Sequence, residues 1–206
     1  RSVSSPLIIG DLLFVVTGNG VDETHINVPS PDAPSFLALN KKTGKLVWKD
    51  NSPGKNIQHT QWSSPTAARI GGRQQILFPG GDGWLRAFEP ETGKLLWKFD
   101  CNPKNALRKE RNEFYGVPVA HEGKVYIGMG QDPEHGAGIG WLWCIDPTKP
   151  KQIPADGDIS AELVTNANVM PPETKPNPNS GLLWAVGGAG GFGRTIGTCA
   201  VRDGLV

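Results

Sequence analysis

Ala38-Leu39-Asn40-Lys41-Lys42-Thr43-Gly44-Lys45-Leu46-Val47-Trp48 and Ala87-Phe88-Glu89-Pro90-Glu91-Thr92-Gly93-Lys94-Leu95-Leu96-Trp97 are two copies of one pattern. In each, a small Ala stands five residues before the Thr of a Thr-Gly-Lys turn, and a Trp closes the segment ten residues after the Ala. Self-similarity at fixed spacing is the signature of a repeat architecture and outranks any local reading of propensity. A third copy is interrupted. It opens as Cys144-Ile145-Asp146-Pro147-Thr148 and resumes as Ser180-Gly181-Leu182-Leu183-Trp184.

The repeat extends upstream. Ser4-Ser5-Pro6, Ser63-Ser64-Pro65 and Gly116-Val117-Pro118 each precede an apolar run ending in Gly. They recur at intervals of about 50–60 residues, the size of a four-stranded propeller blade. A fourth unit begins at Ile196-Gly197-Thr198-Cys199. The blade units span approximately 1–50, 60–99, 113–186 and, incompletely, 195–206, with an insertion over 149–179. Within a unit, runs of Val, Ile, Leu, Phe and Trp alternate with Gly, Asp and Pro clusters, which reads as four short strands joined by tight turns. The Thr-Gly pair suits a hairpin whose Gly takes the left-handed conformation. No stretch carries a sustained helical period, so the chain is predicted to be all-β, one partial β-propeller domain of about three and a half blades. Such a half-ring leaves apolar blade faces uncovered, so the expected parent is a ring of six to eight blades.

Composition excludes several function classes. With 27 Gly and 18 Pro among 206 residues the chain is turn-rich, yet 37% hydrophobic residues and seven Trp are enough to fill cores. A net charge of +1 gives no reason to propose nucleic acid or an anionic membrane as partner. No apolar run is long enough to span a bilayer.

The pattern Ala-x-(Asp/Asn)-x-x-Thr-Gly-Lys-x-x-Trp resembles the tryptophan-docking repeat of propellers related to quinoprotein alcohol dehydrogenases, the pyrroloquinoline quinone (PQQ)-like repeat family. The first copy matches throughout, and the second has Glu89 at the acidic or amide position. The resemblance implies that Ala38, Gly44 and Trp48, then Ala87, Gly93 and Trp97, then Cys144 and Trp184 are structural, each Trp packing on the neighbouring blade. It does not settle activity, because the repeat occurs both in dehydrogenases holding quinone and Ca²⁺ over the central axis and in non-enzymatic propellers such as the BamB-like outer-membrane assembly lipoprotein. Dehydrogenases of this kind typically carry two adjacent Cys beside the quinone. Here Cys101, Cys144 and Cys199 stand apart, and no Asp/Glu/Asn cluster compels a Ca²⁺ site.

The remaining chemistry-bearing residues read plainly. Three cysteines without metal spacing read as free thiols with at most one disulfide. His25, His59, His121 and His135 form no pair at ligand spacing. The Gly187–Gly193 run lacks the Gly-Lys-Ser/Thr ending of a phosphate loop and reads as a connection between blades.

The long loops are more informative. Those over 19–34, 50–61, 100–113 and 131–140, together with the Gly-rich run, fall on one face of the ring, where a rigid scaffold concentrates function. Lys104, Arg108, Lys109 and Arg111 make that face locally basic in the third unit. Gln61, Trp62, Glu113 and Tyr115, at the mouths of the innermost strands, are the candidate ligand or partner residues. The Pro-rich insertion leaves from the opposite rim as an extended excursion that could clasp a neighbouring blade or a partner.

The expectation is a non-catalytic binding or scaffold propeller, periplasmic or otherwise extracytoplasmic, needing no cofactor. Its partners are the remaining blades of the parent propeller and a protein on the long-loop face, with no nucleic acid and no membrane-spanning segment. One alternative is part of a dehydrogenase using PQQ and Ca²⁺ whose catalytic blades lie outside these residues. Another is an extracytoplasmic sensor domain.

Overall fold

The computed structural model describes residues 4–206 except 23, 25, 103–105, 107–110, 131–139, 164–173, 176, 189–190 and 194. Three four-stranded antiparallel sheets follow one another along the chain. Sheet one is β1 (Leu7–Ile9), β2 (Leu12–Val16), β3 (Phe36–Asn40) and β4 (Leu46–Asp50). Sheet two is β5 (Thr66–Ile70), β6 (Arg73–Pro79), β7 (Trp84–Phe88) and β8 (Leu95–Asp100). Sheet three joins β9 (Val119–His121), β10 (Lys124–Met129) and β11 (Trp141–Ile145) to β14 (Leu182–Gly187). A short pair, β12 (Glu162–Leu163) with β13 (Thr174–Lys175), lies inside the insertion. Among the described residues the sole helical turn is a 3₁₀ turn at Gly54–Asn56.

Each sheet is a simple meander, and the first strands of consecutive sheets adjoin: β1 neighbours β5, and β5 neighbours β9. Strands one of successive blades therefore line a common axis, which is the propeller arrangement. The Ser-Ser-Pro triplets stitch that inner belt. The Ser5 N–H donates to Ser64 Oγ at 2.8 Å, and the Val117 N–H donates to Thr198 Oγ1 at 3.0 Å. Val117 has no hydroxyl to accept the same bond from blade two, and there Ser63 Oγ donates to the Gly116 carbonyl at 2.7 Å instead.

The repeated motif forms the same local structure three times. Ala38 pairs with Trp48, Ala87 with Trp97 and Cys144 with Trp184, each followed by an irregularity of register one step on. That bulge skips Val47, Leu96 and Leu183 and aims each Trp to one face of its sheet. The amide of the first copy has a specific duty. Asn40 Oδ1 accepts from the N–H groups of Lys42 and Thr43 and from Thr43 Oγ1, all at 3.0–3.1 Å, closing an Asx-type turn. Asp146 does the same for Thr148.

Trp48 shows what the motif achieves. Its Nε1 donates to the Pro90 carbonyl of the next hairpin at 2.7 Å, and its ring stacks on Phe88 at 5.6 Å. It lies so close over Gly93 that a Cβ there would come within 2.6 Å of the indole. Gly93 is thus required both for its φ of +70° and for the space the Trp occupies. Around this contact Phe14, Phe36 and Ala38 of sheet one meet Ile76, Phe78 and Phe88 of sheet two. Residues on the alternate positions of the same strands, Leu77, Leu85, Ala87, Trp97 and Phe99, face Val125, Ile127, Trp141, Trp143 and Ile145 of sheet three. Trp97 is 1% exposed and donates to Gln75 Oε1 at 2.8 Å, whereas Trp184, in the last sheet, is 38% exposed.

The insertion clasps blade two. It leaves the β11 hairpin on the rim opposite the long loops and then climbs beside the outer strand β8 in parallel, bridging Lys98 to Asp158. The Lys98 N–H donates to the Gly157 carbonyl at 2.8 Å, and the Ile159 N–H donates to the Lys98 carbonyl at 3.0 Å. The Asp100 N–H donates to Ser160 Oγ at 2.7 Å. Ile159 and Ala161 are buried in the core shared by sheets two and three.

Two outcomes are expected from this packing. Trp97→Ala should lower unfolding stability by about 3–5 kcal/mol, as for other buried aromatic truncations, and Trp84→Ala by clearly less, because Trp84 is only half-buried; chemical denaturation of the two variants checks the ranking. Ser160→Ala leaves the buried Asp100 N–H without its acceptor and should cost about 1–3 kcal/mol. Faster amide exchange at Lys98 and Asp100 in that variant would mark the loosened clasp.

Candidate functional site: a cleft on the long-loop face

The four residues at the mouths of the inner strands occupy two different situations. Gln61 is 1% exposed and spans two blades: its Oε1 accepts from the Gly81 N–H at 3.2 Å, and its Nε2 donates to the Thr17 carbonyl. Glu113, also 1% exposed, meets the Nδ1 of His59 through Oε1, while its backbone pairs in both directions with Gly130 at 3.0 and 3.1 Å. Trp62 and Tyr115 hold equivalent positions in consecutive blades, and their rings lie 6.0 Å apart at 30°. Two of the four candidates therefore hold neighbouring loops, and the other two form an aromatic pair at the junction of blades two and three.

An open cleft lies elsewhere on the same face. A cleft of about 450 Å³ sits at the loop end of blade two. Sheet two supplies Trp84 and Asp100 from its strands and Asp82 from the β6–β7 turn, while Asn56 and Gln58 come from the preceding β4–β5 connection. Arg111 comes from the loop after β8, and Asp158 arrives from the insertion. None of the four inner-mouth residues lines it.

Its walls are built from satisfied ion pairs. Asp82 and Arg86 are both almost fully buried and meet through two bonds of 2.6 and 2.9 Å. Arg111 donates through Nη2 to Asp100 Oδ1 at 2.6 Å and to the Asp82 carbonyl at 3.2 Å. Arg111 is set by a clamp one residue along. Asn102 Nδ2 donates to the Asn112 carbonyl at 3.1 Å, and the Asn112 N–H donates back to Asn102 Oδ1 at 2.7 Å. Trp84 stands half-buried between them, with Lys98 Nζ 5.2 Å and the Arg86 guanidinium 5.9 Å from its ring centre.

Burial dominates the electrostatics of Asp100. Loss of water around its carboxyl raises the pKa from 3.8 to about 6, against the downward pull of the Arg111 guanidinium and the Asn102 N–H. A carboxyl so shifted, in a cleft beside a specific charge partner, marks a functional-site candidate. Asp22 behaves oppositely: hydrogen bonds from Thr24 and Asn27 hold its exposed carboxylate down at about 2.

Other chemistry-bearing residues fall outside the cleft. Cys101, Cys144 and Cys199 are all free, and burial pushes each thiol up, away from the reactive thiolate. Of the predicted basic cluster Arg111 is turned inward, and Lys104, Arg108 and Lys109 lie outside the described residues, as do His25 and His135. Among the described residues no group of three or more His, Cys, Asp or Glu side chains is placed to hold a metal ion. Of the inner-mouth side chains, Gln61 and Glu113 bond to neighbouring loops.

The raised pKa of Asp100 has a definite sign in stability. Between about pH 4 and pH 6 the folded protein binds more protons at this carboxyl than the unfolded chain does, so its contribution falls as pH rises through that window. The difference in unfolding free energy between wild type and Asp100→Asn should therefore change by about 2 kcal/mol from pH 4 to pH 7, with the wild type losing ground. Denaturant melts of both proteins at several pH values measure it.

Comparison with known proteins agrees with the repeat pattern. Residues 1–150 match the family model described as outer membrane protein assembly factor BamB. The quinoprotein alcohol dehydrogenase PedE of Pseudomonas putida is 30% identical over 106 residues, which is 48% of this chain and 15% of that protein. The dehydrogenase subunit of the quinone alcohol dehydrogenase of Gluconacetobacter polyoxogenes is 39% identical over 83 residues, covering 34% and 11% of the two chains. Among solved structures, a quinohemoprotein alcohol dehydrogenase of Pseudomonas putida HK5 superposes with a TM-score of 0.49 at 21% identity, over 71% of this chain and 19% of that one. The aligned segment spans less than a fifth of the length of these relatives. The chain belongs to the PQQ-like repeat family of β-propellers, whose matching model carries the BamB description.

Proposed function

We propose that the chain is part of a PQQ-like repeat propeller that works as a non-catalytic binding or scaffold module in the cell envelope, engaging its ligand or protein partner through the long-loop face. One observation carries this reading. The polar side chains Gln61 and Glu113 at the inner strand mouths are engaged in joining neighbouring loops, and an open cleft lies away from them on the same face. The family description, which speaks of outer-membrane protein assembly, supports an extracytoplasmic setting. Further blades of the parent protein stack on the apolar face around Leu183, Trp184 and Val186, each 38–41% exposed in this chain.

A second reading is favoured by the curated relatives, which are named as quinoprotein dehydrogenases. In it the present blades support a quinone and Ca²⁺ site carried by other blades. Dye-linked dehydrogenase assays on the full-length protein, with simple alcohols and aldoses and with PQQ and Ca²⁺ supplied, separate the two. No turnover is expected. Turnover requiring both additions would establish the dehydrogenase reading.

A further inference from the structure

The cleft at the loop end of blade two has a chemistry that selects its ligand by elimination. Among the described residues no three His, Cys, Asp or Glu side chains there are placed to hold a metal ion. An anion meets three carboxylates in the walls, those of Asp82, Asp100 and Asp158, against the single guanidinium of Arg111. An organic cation would share the Trp84 ring with the protein's own Lys98 and Arg86, whose positive charges already stand beside it. A purely apolar ligand would strip water from a lining whose described residues are polar except for Trp84.

The remaining class fits positively. Both bonds that described residues make to the Asp100 carboxylate fall on Oδ1, from Arg111 and from the Asn102 N–H. An acceptor and a guanidinium thus sit side by side, the pairing that reads two adjacent hydroxyls, one as donor and one as acceptor. Asn56, exposed at the rim, and Gln58 add amides that can both give and take hydrogen bonds. Trp84 offers a half-exposed apolar edge for C–H groups. A volume of about 450 Å³ lies within the range of small-molecule sites.

We infer that this cleft is a binding site for a neutral, polyhydroxylated ligand, a short oligosaccharide, with Asp100 and Arg111 reading a vicinal diol beside Trp84. The insertion is part of the site, because Asp158 reaches the cleft only through the clasp along β8. The site does not depend on whether the parent propeller is an enzyme, since its residues are away from the inner mouths.

Full-length protein carrying fluorotryptophan, with the Trp84 resonance assigned through Trp84→Phe, is titrated with neutral mono- to trisaccharides of gluco, galacto, manno and N-acetylglucosamine type. Putrescine and inorganic phosphate serve as probes of the cationic and anionic alternatives. A saturable shift of the Trp84 signal by at least one saccharide is expected, with half-saturation below about 10 mM. Asp100→Asn keeps an oxygen for Arg111 and Asn102 but loses the charged acceptor, and Asn56→Ala changes only the exposed rim; each should weaken that binding about tenfold. No shift with any saccharide, or an equal or stronger response to putrescine or phosphate, overturns the assignment. So does saccharide binding that both variants leave intact.

Discussion

The stacking of blade one on blade two rests on the indole of Trp48 lying over the Thr-Gly hairpin of the next sheet. A single four-stranded meander has two apolar faces and cannot be stable alone in water. The Trp48 contact with Gly93 solves this twice over, since it covers one face of blade two and fixes the height and angle at which blade one stacks. The bulge that lets Ala38 oppose Trp48 is the local device, and the small residue at that position is what allows the ring to cross the sheet. Where Cys144 takes the Ala position, the side chain is still small and the pairing with Trp184 is unchanged.

That contact leaves the ends of the strands free to diverge. The rim carrying the Thr-Gly turns is constrained by docking and varies only where the third copy is interrupted. The other rim carries loops joined by side-chain bridges, such as Gln61 between Thr17 and Gly81 and the reciprocal Asn102–Asn112 pair. These bridges make a rigid platform out of irregular chain. The cleft at blade two lies where the β4–β5 connection, the β6–β7 turn, the end of β8, the loop after it and the insertion meet around Trp84.

The architecture was legible in the residues because it repeats: Ala-to-Trp spacing, the Asx position and the Ser-Ser-Pro triplets each report a contact made more than once. Strand positions followed from the same alternation, and the interrupted third copy was recognisable from its two halves. The cleft was not legible. Its residues are scattered over five segments with no local pattern, and Asp100 becomes unusual only through burial that no neighbouring residue announces. The docking of the insertion was equally hidden, because the two bonds that Gly157 and Ile159 make to Lys98 are backbone to backbone and leave no side-chain signature. Gln61 and Glu113 were visible as polar residues at strand mouths, but sequence could not tell that each would be taken up by a partner from another loop.

The parallel run of the insertion along β8 also changes what kind of surface blade two offers to other molecules. The outermost strand of a propeller blade carries a row of backbone groups facing outward, and such an edge invites pairing with any extended chain that meets it. In blade two part of that row is already taken by the protein's own backbone, in the parallel sense and ending in a side-chain hydroxyl rather than another amide. A foreign strand would have to displace a segment anchored in the core by Ile159 and Ala161. Blade two is thereby insulated against edge-to-edge association, and a partner must recognise it by its side chains.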